Sequence, residues 1–368
     1  MYNISVAQVM CTIKRRITMK NRMKKLITMS VVSVMALTMA AGCGKPSSSS
    51  SSSAANSTSS SAVSSSSSES SSSTSSSSSE TASVSKASKN YKIAMSHQHM
   101  TNAFQNSLTE GADEMAETLG VTVQHFDANQ DVAQQIADLE QCISDGYDAI
   151  LFEPVDPAGL KDVAQKIKDA GIICINDCSK IDDAENLIDG YAGASNVEAG
   201  ELEMSKVCEL IDGKGDIAIL TGPDGDAGGL LRYEGYMNVL KEYPDVKVVV
   251  EAAADWDTTK AMETVESWGT NYDLAAIVCE NDGMAVGAAN ALGGNKDVVI
   301  TGVDASDDGL EAIANGLQAG TVSQDAVEQG RLAIRLAVDL LEKKVSGYKE
   351  YLVDMVWVNS ENVNDFLK

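Results

Sequence analysis

Basic residues are scarce in this 368-residue chain: 28 lysines and arginines stand against 53 aspartates and glutamates, a formal net charge of −25. A protein that binds DNA or RNA needs a basic surface to neutralise phosphates, so this balance excludes a nucleic-acid partner. Proline (5 residues) and aromatic residues (5%) are also rare, whereas glycine is frequent (28). That mix favours the turns of an α/β protein over those of a β-sandwich.

Histidine is rare as well, with 3 residues, and the motifs of two enzyme classes are missing. A hydrolase needs a paired acid and base or a nucleophile oriented by histidine, and the chain has no GxSxG. A dehydrogenase would show GxGxxG after its first strand, where residues 95–104 read MSHQHMTNAF. A transcription regulator would need a helix-turn-helix in place of the N-terminal leader. The sequence therefore predicts a binding protein that is not an enzyme and carries no cofactor.

The cysteines do not predict a disulfide framework. Two of the 7, Cys11 and Cys43, belong to the leader, and the remaining odd number is irregularly spaced. Cys174 and Cys279 fall inside apolar, strand-like runs, where a buried free thiol is expected.

The N-terminus has the parts of a secretory signal. Seven basic residues and no acid lie within residues 14–25, and an uncharged apolar run over residues 26–42 ends at Cys43. Residues 40–43 (AAGC) resemble a bacterial lipobox, which implies that the Cys43 thiol carries a diacylglycerol and anchors the protein to the outer face of the cell membrane. The alternative is an ordinary membrane anchor that contains a cysteine.

A serine-rich tract follows this predicted signal peptide of residues 1–43. Between Ser47 and Glu80, 25 of the 34 residues are serine, and such a segment has too little apolar surface to fold. As a flexible linker, residues 44–89 would span roughly 35–40 Å. The alternative is a rigid, O-modified stalk.

From residue 91 onward, short apolar runs alternate with stretches of helical periodicity. Residues 92–96 (KIAMS) predict a strand, and apolar residues then recur at helical spacing up to Gly120. The alternation begins again near residue 197. Two such series predict two doubly wound, Rossmann-like α/β domains with parallel sheets. Ligands bind at the carboxyl ends of parallel strands, so two domains facing each other would form a cleft.

Polar or aromatic side chains follow the predicted strands of both halves. They are Gln98, Asn102, Phe104, Asn176, Asp177, Asp226, Trp256, Asn281, Asp304 and Gln324. Carboxylates and amides hydrogen-bond hydroxyl groups, and aromatic faces pack on the C–H faces of a sugar. Any one of these residues alone is more often a helix cap or a turn residue. Their recurrence at successive strand ends predicts a binding site for a polyhydroxylated ring.

Three segments of the second half are similar to one known family. Residues 280–287 (ENDGMAVG), 301–304 (TGVD) and 315–322 (NGLQAGTV) resemble the ribose-, galactose- and inositol-type solute-binding proteins of ABC transporters. The resemblance extends over residues 92–366 and implies the type I periplasmic-binding fold. In that fold a three-stranded hinge would join a first lobe to a second, with residues 90–193 and 325–350 in the first and residues 194–324 and 351–368 in the second.

By this resemblance Asn281, Asp304 and Gln324 hydrogen-bond the sugar hydroxyls, and Phe104 and Trp256 hold the ring between them.

The chain departs from parts of the family pattern. Many members place an arginine that clamps the ring where this chain has Leu230, and Arg232 lies two residues further on. Asn176 and Trp256 fit the galactose-type pattern better than the ribose-type one. We therefore expect a neutral hexose or polyol rather than ribose.

No metal site is expected. His97 and His99 share a face at the end of the first predicted strand, but zinc needs at least one more ligand, and His125 belongs to another strand. Lining the cleft is the favoured role for both, and a surface loop is the alternative. Residues 212–216 (DGKGD) are too few to supply the ligands of a calcium loop.

Taken together, these features predict an extracytoplasmic solute-binding lipoprotein that acts as a monomer. It would capture a neutral monosaccharide or polyol between its lobes and deliver it to the permease of an ABC transporter. The alternative is a tethered sensor that presents the sugar to a membrane receptor or histidine kinase.

Overall fold

The structure is a computed structural model and describes residues 85–367. The predictions for the leader, for Cys43 and for the serine-rich tract lie outside these residues. No helix within residues 85–367 is long and apolar enough to cross a membrane.

Six parallel strands form the first sheet, in the order β11-β5-β4-β3-β1-β2. They are β1 (Lys92–His97), β2 (Thr122–Asp127), β3 (Ala149–Phe152), β4 (Ile173–Asp177), β5 (Gly190–Gly193) and β11 (Lys349–Leu352). Every residue of β3 is buried, because helices cover both faces of the sheet.

Five helices pack against this sheet: α1 (Ala103–Leu119), α2 (Val132–Ser144), α3 (Lys161–Asp169), α4 (Ala184–Leu187) and α10 (Ala326–Leu341). The contact between α1 and α10 depends on glycine. A Cβ atom added to Gly111 would lie 1.8 Å from the carbonyl oxygen of Val327, and one added to Gly330 would lie 2.0 Å from that of Leu108. The two backbones therefore touch, and α10 is held firmly on the first lobe.

The second sheet has the order β12-β10-β9-β8-β6-β7, and only β12 runs antiparallel to its neighbour. Its strands are β6 (Gly215–Thr221), β7 (Val246–Ala253), β8 (Leu274–Cys279), β9 (Val299–Asp304), β10 (Gly320–Ser323) and β12 (Val356–Asn359). The accompanying helices are α5 (Asn196–Leu210), α6 (Ala227–Leu240), α7 (Thr258–Trp268), α8 (Asp282–Ala291) and α9 (Asp307–Ala314).

The chain crosses between the sheets three times: after β5, after β10 and after β11. The predicted pair of doubly wound α/β domains with a three-stranded hinge is confirmed. One boundary needs correction, because Tyr351 and Leu352 pair with Ala192 and Gly193 in the first sheet. The third crossing therefore follows Leu352, and the second lobe does not begin at residue 351.

The five cysteines of the described part, Cys142, Cys174, Cys178, Cys208 and Cys279, are free and buried.

Candidate functional site

A cleft lies between the carboxyl ends of the two sheets. Eight of the ten residues predicted for the site line it: Gln98, Asn102, Phe104, Asp226, Trp256, Asn281, Asp304 and Gln324. Residues of both lobes contribute, and Gln98 of the first lobe donates a hydrogen bond to Asp226 of the second. The cleft is therefore enclosed from two sides.

Asn176 and Asp177 do not line the cleft, contrary to the prediction. Both are fully buried at the end of β4. Asn176 Nδ2 donates to the Phe152 carbonyl at 2.9 Å, and its Oδ1 accepts from the Ile181 amide at 2.9 Å, so this side chain joins β4 to its neighbours. Neither carboxylate oxygen of Asp177 has a hydrogen-bond partner, and burial raises the pKa of this group to about 7.

Three of the predicted residues also begin helices. The Oδ1 atoms of Asn102, Asp226 and Asn281 accept hydrogen bonds from the first turns of α1, α6 and α8. Capping and ligand binding are compatible, because an asparagine that caps through its oxygen keeps two N–H donors. Local helix chemistry thus fixes the position of these side chains at the cleft.

The two aromatic residues come from different lobes, Phe104 from α1 and Trp256 from the loop after β7. Trp256 has a φ of 62°, in the left-handed region that L-residues rarely adopt. Its indole lies against Gly222, where an added Cβ atom would be 2.1 Å from the ring. The glycine therefore makes room for the ring.

Asp304 ends β9 with a φ of 124°, a second strained position at the cleft. Its Oδ1 accepts from Gln324 Nε2 at 2.7 Å. Burial raises the pKa of Asp304 to about 7, against the opposing effect of the Arg232 charge.

Arg232 was not among the predicted site residues, yet it reaches the cleft from α6. It is 8% exposed, whereas Leu230 on the same helix is 61% exposed. Its Nε donates to Asn196 Oδ1 at 3.0 Å, and Nη1 donates to the Glu280 carbonyl. The guanidinium carbon lies 5.6 Å from the centre of the Trp256 ring, within range of a cation–π contact.

Glu153 is the second residue that the sequence reasoning missed. It directly follows β3, and its position at a strand end was the signal that could have identified it. Gln105 Nε2 donates to Glu153 Oε2 at 2.5 Å. Burial, together with the negative charges of Asp177 and Asp226, raises the pKa of Glu153 well above its usual value.

The histidines divide between the cleft and the interior. His99 lines the cleft, but His97 lies behind it, 2.9 Å from Gln105 Oε1 through Nδ1 and 2.8 Å from His125 Nδ1 through Nε2. Since Gln105 turns its NH₂ group to Glu153, its oxygen accepts from His97. Burial and the neighbouring His125 lower the pKa of His97 to about 4, so the ring is neutral. This pair orients Gln105, and through it Glu153.

Comparison with known proteins gives a consistent match. Residues 93–345 match the family model of the periplasmic binding protein domain. A xylitol-binding protein of Mycolicibacterium smegmatis is 31% identical over 262 residues, which cover 69% of this chain and 73% of the relative. The ribose import binding protein of Bacillus subtilis is 28% identical over 266 residues, which cover 71% of this chain and 85% of the relative.

A solved structure shares the whole two-lobed architecture. It is an ABC transporter solute-binding protein from Bacillus halodurans with bound myo-inositol. The TM-score is 0.71 at 29% identity, and the match covers 76% of this chain and 98% of that one.

Proposed function

The chain belongs to the periplasmic binding protein domain family, and from that premise we propose that it captures one sugar or polyol molecule in the cleft and delivers it to an ABC importer. Membership of the family implies a location outside the cytoplasm. The similarity to a ribose import binding protein favours import over sensing.

One observation carries the proposal: Phe104 and Trp256 reach the same cleft from opposite lobes, and amides and carboxylates lie beside them. Aromatic faces pack on the apolar C–H faces of a ring, while Asn281, Asp304 and Gln324 offer donors and acceptors to its hydroxyl groups. A closing motion of two lobes about a three-stranded hinge would bury the ligand on both faces.

We expect a hexose or polyol rather than ribose. That preference now depends on the indole of Trp256, because Asn176, the other residue that favoured it, lies outside the lining. A monomer is sufficient for this function, since both walls of the cleft come from one chain.

Lipid anchoring through Cys43 is part of the proposal. The AAGC segment at residues 40–43 supports it, and a diacylglycerol would bring two acyl chains and hold the protein at the membrane. When the protein is expressed in a bacterium, the wild type should partition into detergent, and Cys43→Ser should lose the lipid or remain unprocessed. Equal aqueous partitioning of both would exclude the anchor.

A thermal-shift screen of the purified protein against monosaccharides and polyols tests the binding function, because a ligand that binds only the native state raises the midpoint. For the ligand found, Asp304→Ala should weaken binding by about 10²-fold, since each hydrogen bond to a charged group contributes about 1.5–3 kcal/mol. Glu263→Gln, on the exposed face of α7, serves as the control. Unchanged affinity in a folded Asp304→Ala variant would show that the ligand binds elsewhere.

A further inference from the structure

The carboxyl group of Asp282 lies buried behind the cleft. Asp282 is the first residue of α8 and follows the site residue Asn281, but it is fully buried and does not line the cleft itself. Its Oδ2 atom accepts hydrogen bonds from Ser306, at 2.9 Å from the backbone nitrogen and 3.3 Å from Oγ. Its Oδ1 atom accepts from Gln318 Nε2 at 2.8 Å. One carboxyl group thus joins three parts of the second lobe that are distant in the sequence.

These contacts bring together the three segments that resemble the solute-binding family. Asp282, Gly302 and Gln318 each belong to a different one of them. A Cβ atom added to Gly302 would lie 2.5 Å from Asp282 Oδ1, and one added to Gly309 would lie 2.3 Å from Oδ2. The carboxyl group is therefore packed against the backbone of β9 and α9, and this close approach requires glycine at both positions.

The turn that Asp282 holds is strained. Asp304 (φ 124°) and Ala305 (φ 55°) occupy consecutive positions in the left-handed region that L-residues rarely adopt. Such a conformation persists only where the surrounding structure holds it in place. The Ser306 amide, which donates to Asp282, comes next along the chain, and the Ala305 amide donates to Thr321 Oγ1 at 3.3 Å. These two bonds fix the backbone that bears the Asp304 carboxyl group.

We propose that Asp282 is a positioning residue: by holding the strained turn of residues 304–306, it directs the Asp304 carboxyl group into the cleft. This inference rests on the proposed function, in which Asp304 binds a hydroxyl group of the sugar. Gln324 Nε2 donates to Asp304 Oδ1 at 2.7 Å, so the backbone and the side chain are held from two directions. Without Asp282 the turn should relax, and the carboxyl group should lose the alignment that a hydrogen bond to the sugar needs.

A crystal structure of the ligand-free Asp282→Ala variant tests the effect on the turn. Residues 304 and 305 should leave the positive-φ conformation, because the strain is no longer opposed. The hydrogen bond between Asp304 and Gln324 should be lost with it. An unaltered turn in this variant would overturn the inference.

Calorimetry on a double-mutant cycle tests the effect on binding. The probe is the compound among glucose, galactose, ribose, myo-inositol and xylitol that gives the largest thermal shift with the wild type. Asp282→Ala should weaken its binding by about tenfold, as expected when a hydrogen bond to a charged group is lost. In the Asp304→Ala background the same substitution should cost about threefold or less, because the group that it positions is gone. Losses that multiply in the double variant would overturn the inference, since Asp282 would then act by another route.

A second variant serves if Asp282→Ala does not fold. Gln318→Met keeps the length of the side chain but removes the donor to Asp282 Oδ1. It should weaken binding by about threefold in the wild type and have no effect in the Asp304→Ala background. An equal loss in both backgrounds would contradict the positioning role.

The control is another buried carboxyl group of the second lobe. Glu203 is as fully buried as Asp282, but it accepts hydrogen bonds from Tyr236 at 2.5 Å and Thr301 at 2.7 Å and has no bond to the turn. Glu203→Gln should therefore lower the melting temperature and leave the affinity unchanged. If it weakened binding as much as Asp282→Ala, general destabilisation of the lobe would explain both losses, and the inference would be wrong.

The outcomes separate the inference from the function on which it rests. If none of these compounds binds the wild type but the turn relaxes in Asp282→Ala, the proposed function fails and Asp282 still holds the turn. If a compound binds and a folded Asp304→Ala variant keeps full affinity, sugar binding stands and the positioning role of Asp282 is wrong.

Discussion

Gln98 Nε2 donates to Asp226 Oδ2 at 2.8 Å and so joins the two lobes across the cleft. The same amide group donates to the Pro154 carbonyl at 3.0 Å, which holds the glutamine on the first lobe. Asp226 in turn caps α6 through its other oxygen. The bond therefore links the two lobes directly, and separating the lobes would break it.

Removing this link should favour the open form. In Gln98→Leu the closed state loses a hydrogen bond to a charged group, so ligand affinity should fall by about tenfold. Small-angle scattering should show a larger radius of gyration for the ligand-free variant than for the wild type. Gln141→Leu, at an exposed position on α2, is the control. Identical scattering and affinity would mean that the contact does not contribute to closure.

The positions of Arg232 and Leu230 lead to opposite expectations for the two residues. Arg232→Met would remove the contact with Trp256 and two hydrogen bonds, and should weaken binding by about tenfold or more. Leu230→Ala should leave the affinity unchanged, because that side chain is exposed. Calorimetry on both variants, after thermal melts have shown that they fold, measures the difference. Equal losses would contradict this arrangement of α6.

The Trp256 ring should report ligand binding. Trp256→Ala should cost about 1–3 kcal/mol of binding free energy, and the ligand-induced fluorescence change should disappear with it. Gly222→Ala should weaken binding as well, because its methyl group would occupy the place of the ring. Trp268→Phe is the control, since Trp268 belongs to a core cluster of the second lobe. A fluorescence change that survives in Trp256→Ala would identify another tryptophan as the reporter.

Asp177 should make the protein less stable at high pH. Its pKa is about 7 in the folded protein and has its ordinary value, about 4, in the unfolded chain. Between these two pH values the folded state therefore binds more protons than the unfolded state. The free energy of unfolding should therefore fall as the pH rises from about 4 to 7. Asp177→Asn removes this loss and should be more stable than the wild type at pH 8, by up to about 4 kcal/mol.

Urea denaturation at pH 4 and pH 8 measures the effect of Asp177→Asn. The gain should be confined to the higher pH, and Asp169→Asn, at an exposed position, should show no such difference. If Asp177→Asn raised the free energy of unfolding equally at pH 4 and pH 8, the Asp177 carboxyl would not be protonated in the folded wild type at pH 4.

Much of the architecture followed from local patterns. The alternation of apolar runs and helical periodicity predicted both doubly wound sheets, and the relatives are binding proteins, which confirms that the chain is not an enzyme. Two short strands of the first sheet were missed: β5, which lies between β4 and β11, and β11 at the edge have four residues each and no apolar run to mark them. Their pairing depends on a neighbour that is distant in sequence, which explains the misplaced boundary at residue 351.

The sequence by itself determined which residues stand at strand ends and helix starts, because capping and strand periodicity are local. Asn102, Asp226 and Asn281 reached the cleft for that reason. Only the tertiary structure decided which of two residues close together in the sequence faces the cleft. Residues 230 and 232 lie about 200° apart around a helix, so the rotation of α6 on its sheet turned Arg232 inward and Leu230 outward. At the end of β4 the packing of the first lobe buried both Asn176 and Asp177, and only the folded chain could reveal that enclosure.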